Sequence, residues 1–213
     1  MAIELRLLLG IPALYSAFSR FAGGSARETY AREYIRALPG DRVLDIGCGP
    51  ADILDFLPAG IEYIGFDSSE DYIASANARF GQRGRFFCAD VSSQAGESLR
   101  DFDIVMANGV LHHLDDREAR ELFRIARSAL KPEGRLVTLD GCYAPGQSAL
   151  ARHLLSKDRG AYVRSELAYR ELAAPIFANV TSTIRHDLMR IPYTHIILEC
   201  SGSAPAEPAQ ASY

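Results

Sequence analysis

The stretch Val43-Leu44-Asp45-Ile46-Gly47-Cys48-Gly49-Pro50 decides how the rest of the chain is read. Four residues rich in branched apolar side chains run straight into two glycines one residue apart. That is a buried strand ending in a tight turn, with a helix expected after it. Glycine there lets the backbone approach a ligand closely. A dinucleotide fingerprint of the form G-x-G-x-x-G/A would need a small residue at the sixth position from Gly47, and Asp52 stands there instead. A carboxylate so close to a pyrophosphate is unfavourable, which argues against a nicotinamide- or flavin-dependent oxidoreductase.

Outward from this turn the chain alternates short β-rich runs with helical stretches. Strands are expected at Arg42–Ile46, Ile61–Phe66, Arg85–Ala89, Asp103–Ala107 and Arg135–Asp140. The clearest helix is Arg117 to Leu130, opening at Asp115-Asp116 and stopping before Pro132 and Gly134. Strand, turn and helix in repetition imply a parallel sheet with helices on both faces. Asn179–His186 and Tyr193–Cys200 are two further strands whose short link forbids a parallel crossover, so an antiparallel hairpin is expected. Upstream, Ser25-Ala26-Arg27-Glu28 is a capping box that opens a helix expected to end at Pro39-Gly40.

The whole chain has 213 residues, 48% of them hydrophobic and 23% charged, which suits one substantial domain. We expect a single domain over residues 1–200. Residues 1–38 form a helical cap or lid, 141–175 an insert that shapes an acceptor pocket, and 201–213 a disordered Ser/Ala/Pro-rich tail. The formal net charge is −4 and the isoelectric point near 5.7. That balance does not suit a protein that grips phosphates, so nucleic acid is not an expected partner.

No run reaches the roughly 18 apolar residues of a membrane span, so no membrane partner is expected. Met1 to Phe21 is interrupted by Glu4 and Pro12 and is read as helix rather than as a removed signal. Cys48, Cys88, Cys142 and Cys200 are widely spaced and lack metal-ligand spacing. A reduced, cytoplasmic protein without a metal is expected.

The acids sharpen the functional reading. Ile61-Glu62-Tyr63-Ile64-Gly65-Phe66-Asp67 ends the second strand on Asp67, where doubly wound sheets place an acid against ribose hydroxyls. Phe86-Phe87-Cys88-Ala89-Asp90-Val91 puts another Asp at the end of the third strand. A lone strand-end Asp is usually a helix cap. Two at matched positions beside a glycine turn point to a cofactor.

Taken together, VLDIGCGP, YIGFDSS, FFCADV, FDIVMANGVLHHL and ALKPEGRLVTLDG resemble the class I S-adenosylmethionine-dependent methyltransferases from about Arg42 to Asp140. The resemblance implies a Rossmann-like, doubly wound α/β fold. Its seven-stranded, mostly parallel sheet would have order 3-2-1-4-5-7-6, with strand 7 antiparallel. It also implies S-adenosyl-L-methionine as cofactor and S-adenosyl-L-homocysteine as product. Asp45, Gly47 and Gly49 would line the methionine moiety, and Asp67 with Ser68 the ribose. Asp90 and Val91 would hold adenine, and Asn108 and Gly109 would lie beneath the sulfonium. Tyr15 would reach the cofactor carboxylate from the lid. Family members often carry a third glycine where this chain has Ala51, and a methyl group there is expected to narrow the turn.

The reaction implied is methyl transfer to a small polar metabolite, most simply to a hydroxyl, with a sugar as one candidate acceptor. A hydroxyl acceptor gains from a general base. Leu111-His112-His113-Leu114 follows strand four and Asp140 ends strand five, so His112, His113 and Asp140 are the candidate catalytic residues. Within the insert, Lys157, Arg159 and Arg164 could favour an anionic acceptor. N-methylation or carboxylate methylation, and a non-catalytic cofactor-binding subunit, are the competing readings. The acceptor and the oligomeric state are not legible in the sequence.

Overall fold

The computed structural model describes residues 26–91, 99–157 and 160–204. The expected lid residue Tyr15 lies outside these, as does Arg159 of the insert. Helix α1 (Ala26–Tyr30) widens into a π-helical turn over Ala31–Ile35. The first strands are β1 (Arg42–Ile46), β2 (Glu62–Asp67) and β3 (Gly84–Cys88), with α2 (Glu70–Phe80) between the last two. Next come β4 (Phe102–Asn108), α3 (Asp116–Ala129) and β5 (Leu130–Tyr143). The chain continues with α4 (Ala149–Ser156), β6 (Arg164–Ser165) and α5 (Glu166–Ala173), then β7 (Asn179–Arg185) and β8 (His195–Ser201).

The main sheet runs β3-β2-β1-β4-β5-β8-β7. Its first five strands are mutually parallel, and β8 lies antiparallel to both β5 and β7. This is the expected doubly wound order, with one addition. Two-residue β6 pairs with the end of β5, so the closing hairpin is β7–β8 rather than strands six and seven.

Alternation along the strands divides the core into two apolar layers. Leu44, Val105, Leu136 and Leu198 face α3 and α5 on one side. Val43, Tyr63, Met106, Val137 and Ile197 face α1 and α2 on the other. The capping box at α3 is complete: Asp115 accepts from the Glu118 N–H at 2.8 Å, and Glu118 accepts from the Asp115 N–H at 3.0 Å.

Four expectations are corrected. The first helix ends at Arg36, in the left-handed region at φ 48°, and not at Pro39-Gly40. Its π turn buries Tyr30, Ala31, Tyr34 and Ile35 together against the sheet. The glycine turn leads into a single 3-10 turn, Asp52–Asp55, rather than a helix. Strand five extends from Leu130 to Tyr143, its register slipping around Pro132 and Gly134 so that Phe102 pairs with Leu130 but Ile104 with Arg135. Ser201 to Ala204 are not tail: Ser201 belongs to β8, Ser203 accepts from Arg127 at 2.9 Å, and the Ala204 N–H reaches the Ile176 carbonyl at 3.1 Å. Residues 205–213 lie outside the described part.

Candidate active site

The carboxyl ends of β1, β2, β4 and β5 lie at one edge of the sheet, and Asp45, Asp67, Asn108 and Asp140 stand on these four strands. Gly47 (φ 73°) turns the chain away from β1, and the Gly47 and Cys48 N–H groups both donate to the Phe66 carbonyl, at 2.8 and 2.9 Å. A methyl group on Gly47 would meet Val110 Cγ2 at 2.5 Å, so that glycine is needed for packing as well as for φ. Gly49 (φ 53°) differs: a methyl there would meet nothing within 4 Å among the described residues, which leaves room for a ligand to approach the backbone. Ala51 also sits in the left-handed region (φ 56°) and is fully buried. Its departure from glycine is therefore felt as backbone strain rather than as a narrowed turn.

Asp67 fastens the turn to β2. One carboxylate oxygen accepts from the Gly49 N–H at 2.9 Å and the other from the Ser69 N–H at 2.9 Å, at the start of α2. Each oxygen keeps a second lone pair for a ligand hydroxyl. Ser68 is exposed beside it. Asp90 is exposed beyond β3, whereas Val91 is buried in the same apolar cluster as Phe66. Asp52, which argued against a dinucleotide, is buried and ion-paired with Arg79 and, at 3.4 Å, with Arg27.

Asp45 is the most telling residue of the turn. It is 2% exposed; one oxygen accepts from the Tyr63 hydroxyl at 2.5 Å, while Oδ1 is buried without a hydrogen-bond partner among the described residues. Burial, opposed by the Tyr63 hydrogen bond and assisted by the charge of Asp67, pushes its carboxyl up to about 7. A buried carboxylate oxygen with no donor beside the glycine turn matches the ammonium of an amino-acid moiety. S-adenosylmethionine presents such a group, and so the residues present fit that cofactor.

At the end of β4 the Asn108 side chain accepts from the Tyr30 hydroxyl at 2.6 Å. Tyr30 is buried and stacks on Tyr34 with ring centroids 6.0 Å apart. Burial first, then the charges of Asp45, Asp140 and Glu199, push its phenol well up, so it stays a neutral donor. Sequence reasoning missed Tyr30 because its spacing on α1 reads as core. The available signal was that a buried tyrosine hydroxyl needs a partner. Gly109 follows at φ 70°, its N–H donating to the Leu139 carbonyl at 2.7 Å.

The structure separates the two histidines. Nδ1 of His112 lies 2.8 Å from Asp140 Oδ1, and the His112 backbone N–H donates to the same oxygen at 3.2 Å. Both residues are buried. Burial raises the Asp140 carboxyl, although the side-chain hydrogen bond and charge of His112 and the backbone N–H groups of His112 and Leu111 pull against it. His113 is exposed, its ring 4.2 Å from that of His112 and tilted by 40°. Of the expected trio, then, His112 and Asp140 form a buried dyad, and His113 flanks it.

The insert behaves differently from expectation. Arg164 is buried, and its guanidinium is taken up by Asp116 and by the carbonyls of Leu111, Leu114 and Tyr162. It is thus removed from the expected anion-binding cluster, while Lys157 and His153 are exposed. His186 and Thr194 bond each other at 3.1 Å within the hairpin region, and Arg185 grips Asp187, Tyr34 and Glu33. All four cysteines are free. Among the described residues no cluster of three or more His, Cys, Asp or Glu could hold a metal, and no helix is long and apolar enough to cross a membrane.

A parallel sheet with a reversed last hairpin and a glycine turn after β1 match the Rossmann-like fold of methyltransferases. Residues 44–136 match the model of a methyltransferase domain family. The chain is 32% identical over 128 residues to a trans-aconitate 2-methyltransferase of Variovorax paradoxus, covering 59% of this chain and 47% of the relative. It is 28% identical over 161 residues to phosphoethanolamine N-methyltransferase 1 of Arabidopsis thaliana, covering 73% of this chain and 32% of the relative. The chain thus spans less than half the length of these curated relatives.

Solved structures agree on the fold. A TehB-like S-adenosylmethionine-dependent methyltransferase from Corynebacterium glutamicum superposes with a TM-score of 0.59 at 18% identity, covering 83% of this chain and 88% of that one. Geranyl diphosphate C-methyltransferase from Streptomyces coelicolor, solved with S-adenosyl-L-homocysteine, gives 0.62 at 16% identity, covering 83% and 75%.

Proposed function

We propose that this chain transfers a methyl group from S-adenosylmethionine to a small polar acceptor, with a hydroxyl as the acceptor group. The observation that carries the proposal is the buried His112–Asp140 dyad at the sheet edge that also bears the glycine turn and the unpartnered Asp45 oxygen. The cofactor supplies an activated methyl group bound to a positive sulfur. The chain's own residues do the rest.

Asp45 receives the ammonium end, Gly47 and Gly49 let the backbone come close, and Asp67 with Ser68 takes the ribose hydroxyls. Asp90 and Val91 flank the adenine. Asn108, its carbonyl oxygen held by Tyr30, and Gly109 lie beneath the reacting end. Asp140 orients the His112 imidazole through Nδ1, and that ring accepts the acceptor's proton as the new bond forms. Alignment and exclusion of water supply the remaining acceleration. The proposal includes a single domain that runs through the last strand, with residues 141–175 as the acceptor-shaping insert.

A second reading has its own support. The relatives named above include a phosphoethanolamine N-methyltransferase and a trans-aconitate methyltransferase, so an amine or carboxylate acceptor is the alternative. Such acceptors need less help from a base. The test begins with calorimetric titration of S-adenosylhomocysteine and NAD into the wild type and Asp67→Asn. A panel of trans-aconitate, phosphoethanolamine and simple sugars follows, with His112→Ala as comparison. Tight binding of S-adenosylhomocysteine alone, and turnover of a hydroxyl acceptor that falls about 10²–10⁴-fold in His112→Ala, is the expected result. Undiminished turnover in that variant would transfer the function to the second reading. Absence of binding by a folded protein would overturn both.

A further inference from the structure

A base is useful only if its ring is held where the acceptor's proton will be. His112 sits on a one-turn 3-10 helix, Leu111–His113, with no side-chain cap at its start. Such a turn has little rigidity of its own. Asp140 stands on a different element, β5. Two features of the insert join these pieces, and nothing in the proposed chemistry uses them.

The first is Arg164. Its backbone belongs to β6, which pairs with β5 at Cys142, two residues beyond Asp140. Its side chain reaches across to the turn that carries His112. Nη1 donates to the Leu111 carbonyl at 2.9 Å and Nη2 to the Leu114 carbonyl at 2.7 Å, the two carbonyls that bracket the histidine pair. Nε and Nη2 also engage Asp116, the first residue of α3, at 3.0 and 2.8 Å. The Arg164 side chain is 8% exposed, so its bonds to the two carbonyls are made largely out of water, where they are strongest, while Asp116 remains exposed. Only a guanidinium offers this many donors in one rigid plane.

The second feature is Gly160. A methyl group built on it would lie 2.1 Å from His112 Cδ2 and 2.6 Å from the His112 carbonyl oxygen. The backbone at Gly160 is therefore in direct contact with the imidazole face, next to the atom bonded to Nε2. The Tyr162 N–H then donates to the His112 carbonyl at 3.0 Å. Segment 160–165 thus touches the ring, the backbone of the same residue and the carbonyls on either side of it, and it is itself anchored to the strand bearing Asp140.

We propose that Gly160 and Arg164 are positioning residues, and that segment 160–165 is a strut setting the distance and ring orientation of the His112–Asp140 pair. The proposal rests on the reading of His112 as the base, and its test does not require a known acceptor. The hydrogen-bonded Nδ1 proton of His112 is a signal that ¹H–¹⁵N spectra of the full chain with S-adenosylhomocysteine can follow, assigned by its loss in His112→Ala.

Gly160→Ala, whose methyl clashes with the His112 ring and carbonyl, is the decisive variant, and Arg164→Lys the supporting one. Both should bind S-adenosylhomocysteine within about twofold of wild type while the Nδ1 proton signal shifts, broadens or disappears. Turnover of an acceptor from the panel should fall about 100-fold in kcat with the donor KM unchanged, the size expected for a displaced catalytic group. An unchanged Nδ1 signal in folded Gly160→Ala would overturn the proposal. So would unfolding of Gly160→Ala, since the segment would then hold up the domain rather than the dyad. Full activity in His112→Ala would instead refute the base, leaving the NMR result to stand on the strut alone.

Discussion

Asp45→Asn tests whether the glycine turn carries a destabilised acid kept for a cationic ligand. In the folded chain its carboxyl is raised from 3.8 to about 7, so between those values the native state holds a proton that the unfolded chain releases. Stability must therefore fall as pH rises through this window and level off above it. The total is about 4 kcal/mol, with a maximal slope of about 1.4 kcal/mol per pH unit, because the group is fully buried and the shift is not screened by solvent.

Asparagine has no charge to lose. The stability difference, wild type minus variant, should thus decline between about pH 4 and pH 7 whatever the constant offset from the amide. Urea denaturation at half-unit pH steps measures it. Binding should show the reverse preference. A ligand ammonium beside the unpartnered Oδ1 favours the ionised form, so wild type at pH 6 should release a proton on binding S-adenosylhomocysteine. Calorimetric enthalpies in buffers of different ionisation enthalpy would report that proton, and Asp45→Asn should show none. Parallel stability profiles for the two proteins across this range would refute the reasoning, because the carboxyl would then not be raised.

Other outcomes follow from the same geometry. Tyr30→Phe leaves the Asn108 side-chain oxygen bare, which should cost about 1–3 kcal/mol in thermal or urea unfolding and loosen the floor beneath the reacting end of the donor. Gly49→Ala introduces left-handed strain of about 1–2 kcal/mol but no clash, so calorimetry should show a loss of cofactor affinity out of proportion to the lost stability. Gly47→Ala adds the Val110 clash to the same strain and should register mainly as lost stability in the same measurements. Asp140→Asn keeps an acceptor for Nδ1 but removes the charge, and should depress turnover of a hydroxyl acceptor while leaving S-adenosylhomocysteine binding near wild type.

The sheet was legible because its strands are short apolar runs punctuated by glycine, proline and acids, and because each parallel strand ends on residues with a recognisable task. What escaped is local structure with no compositional marker. Arg36 ends the first helix in a left-handed conformation that glycine would have announced, and the π turn before it is set by burying Tyr34 and Ile35 together. The bulge at Pro132 and Gly134 read as the gap between helix and strand, yet the ladder resumes on both sides of it. A two-residue strand such as β6 has no periodicity to detect.

The acids and glycines of the site could be read from position because their work is done by their own strand ends. Residues that act through distant partners could not. Arg164 looked like one more cation in a basic stretch, since sequence shows a charge but not the carbonyls that will consume it. Those carbonyls come from Leu111 and Leu114, some fifty residues earlier, and meet Arg164 only because β6 adds itself to the edge of β5. Tyr30 was hidden in the same way, its hydroxyl answered by Asn108 across 78 residues. In both cases the sheet topology supplies the meeting. Once it is in place, two buried carboxylate oxygens stand unsatisfied beside the site. Asp45 Oδ1 and Asp140 Oδ2 have no hydrogen-bond partner among the described residues, one on each face of the sheet by strand alternation. Leaving two such oxygens bare costs stability that packing must offset, and a fold bears that cost where a ligand will complete the arrangement.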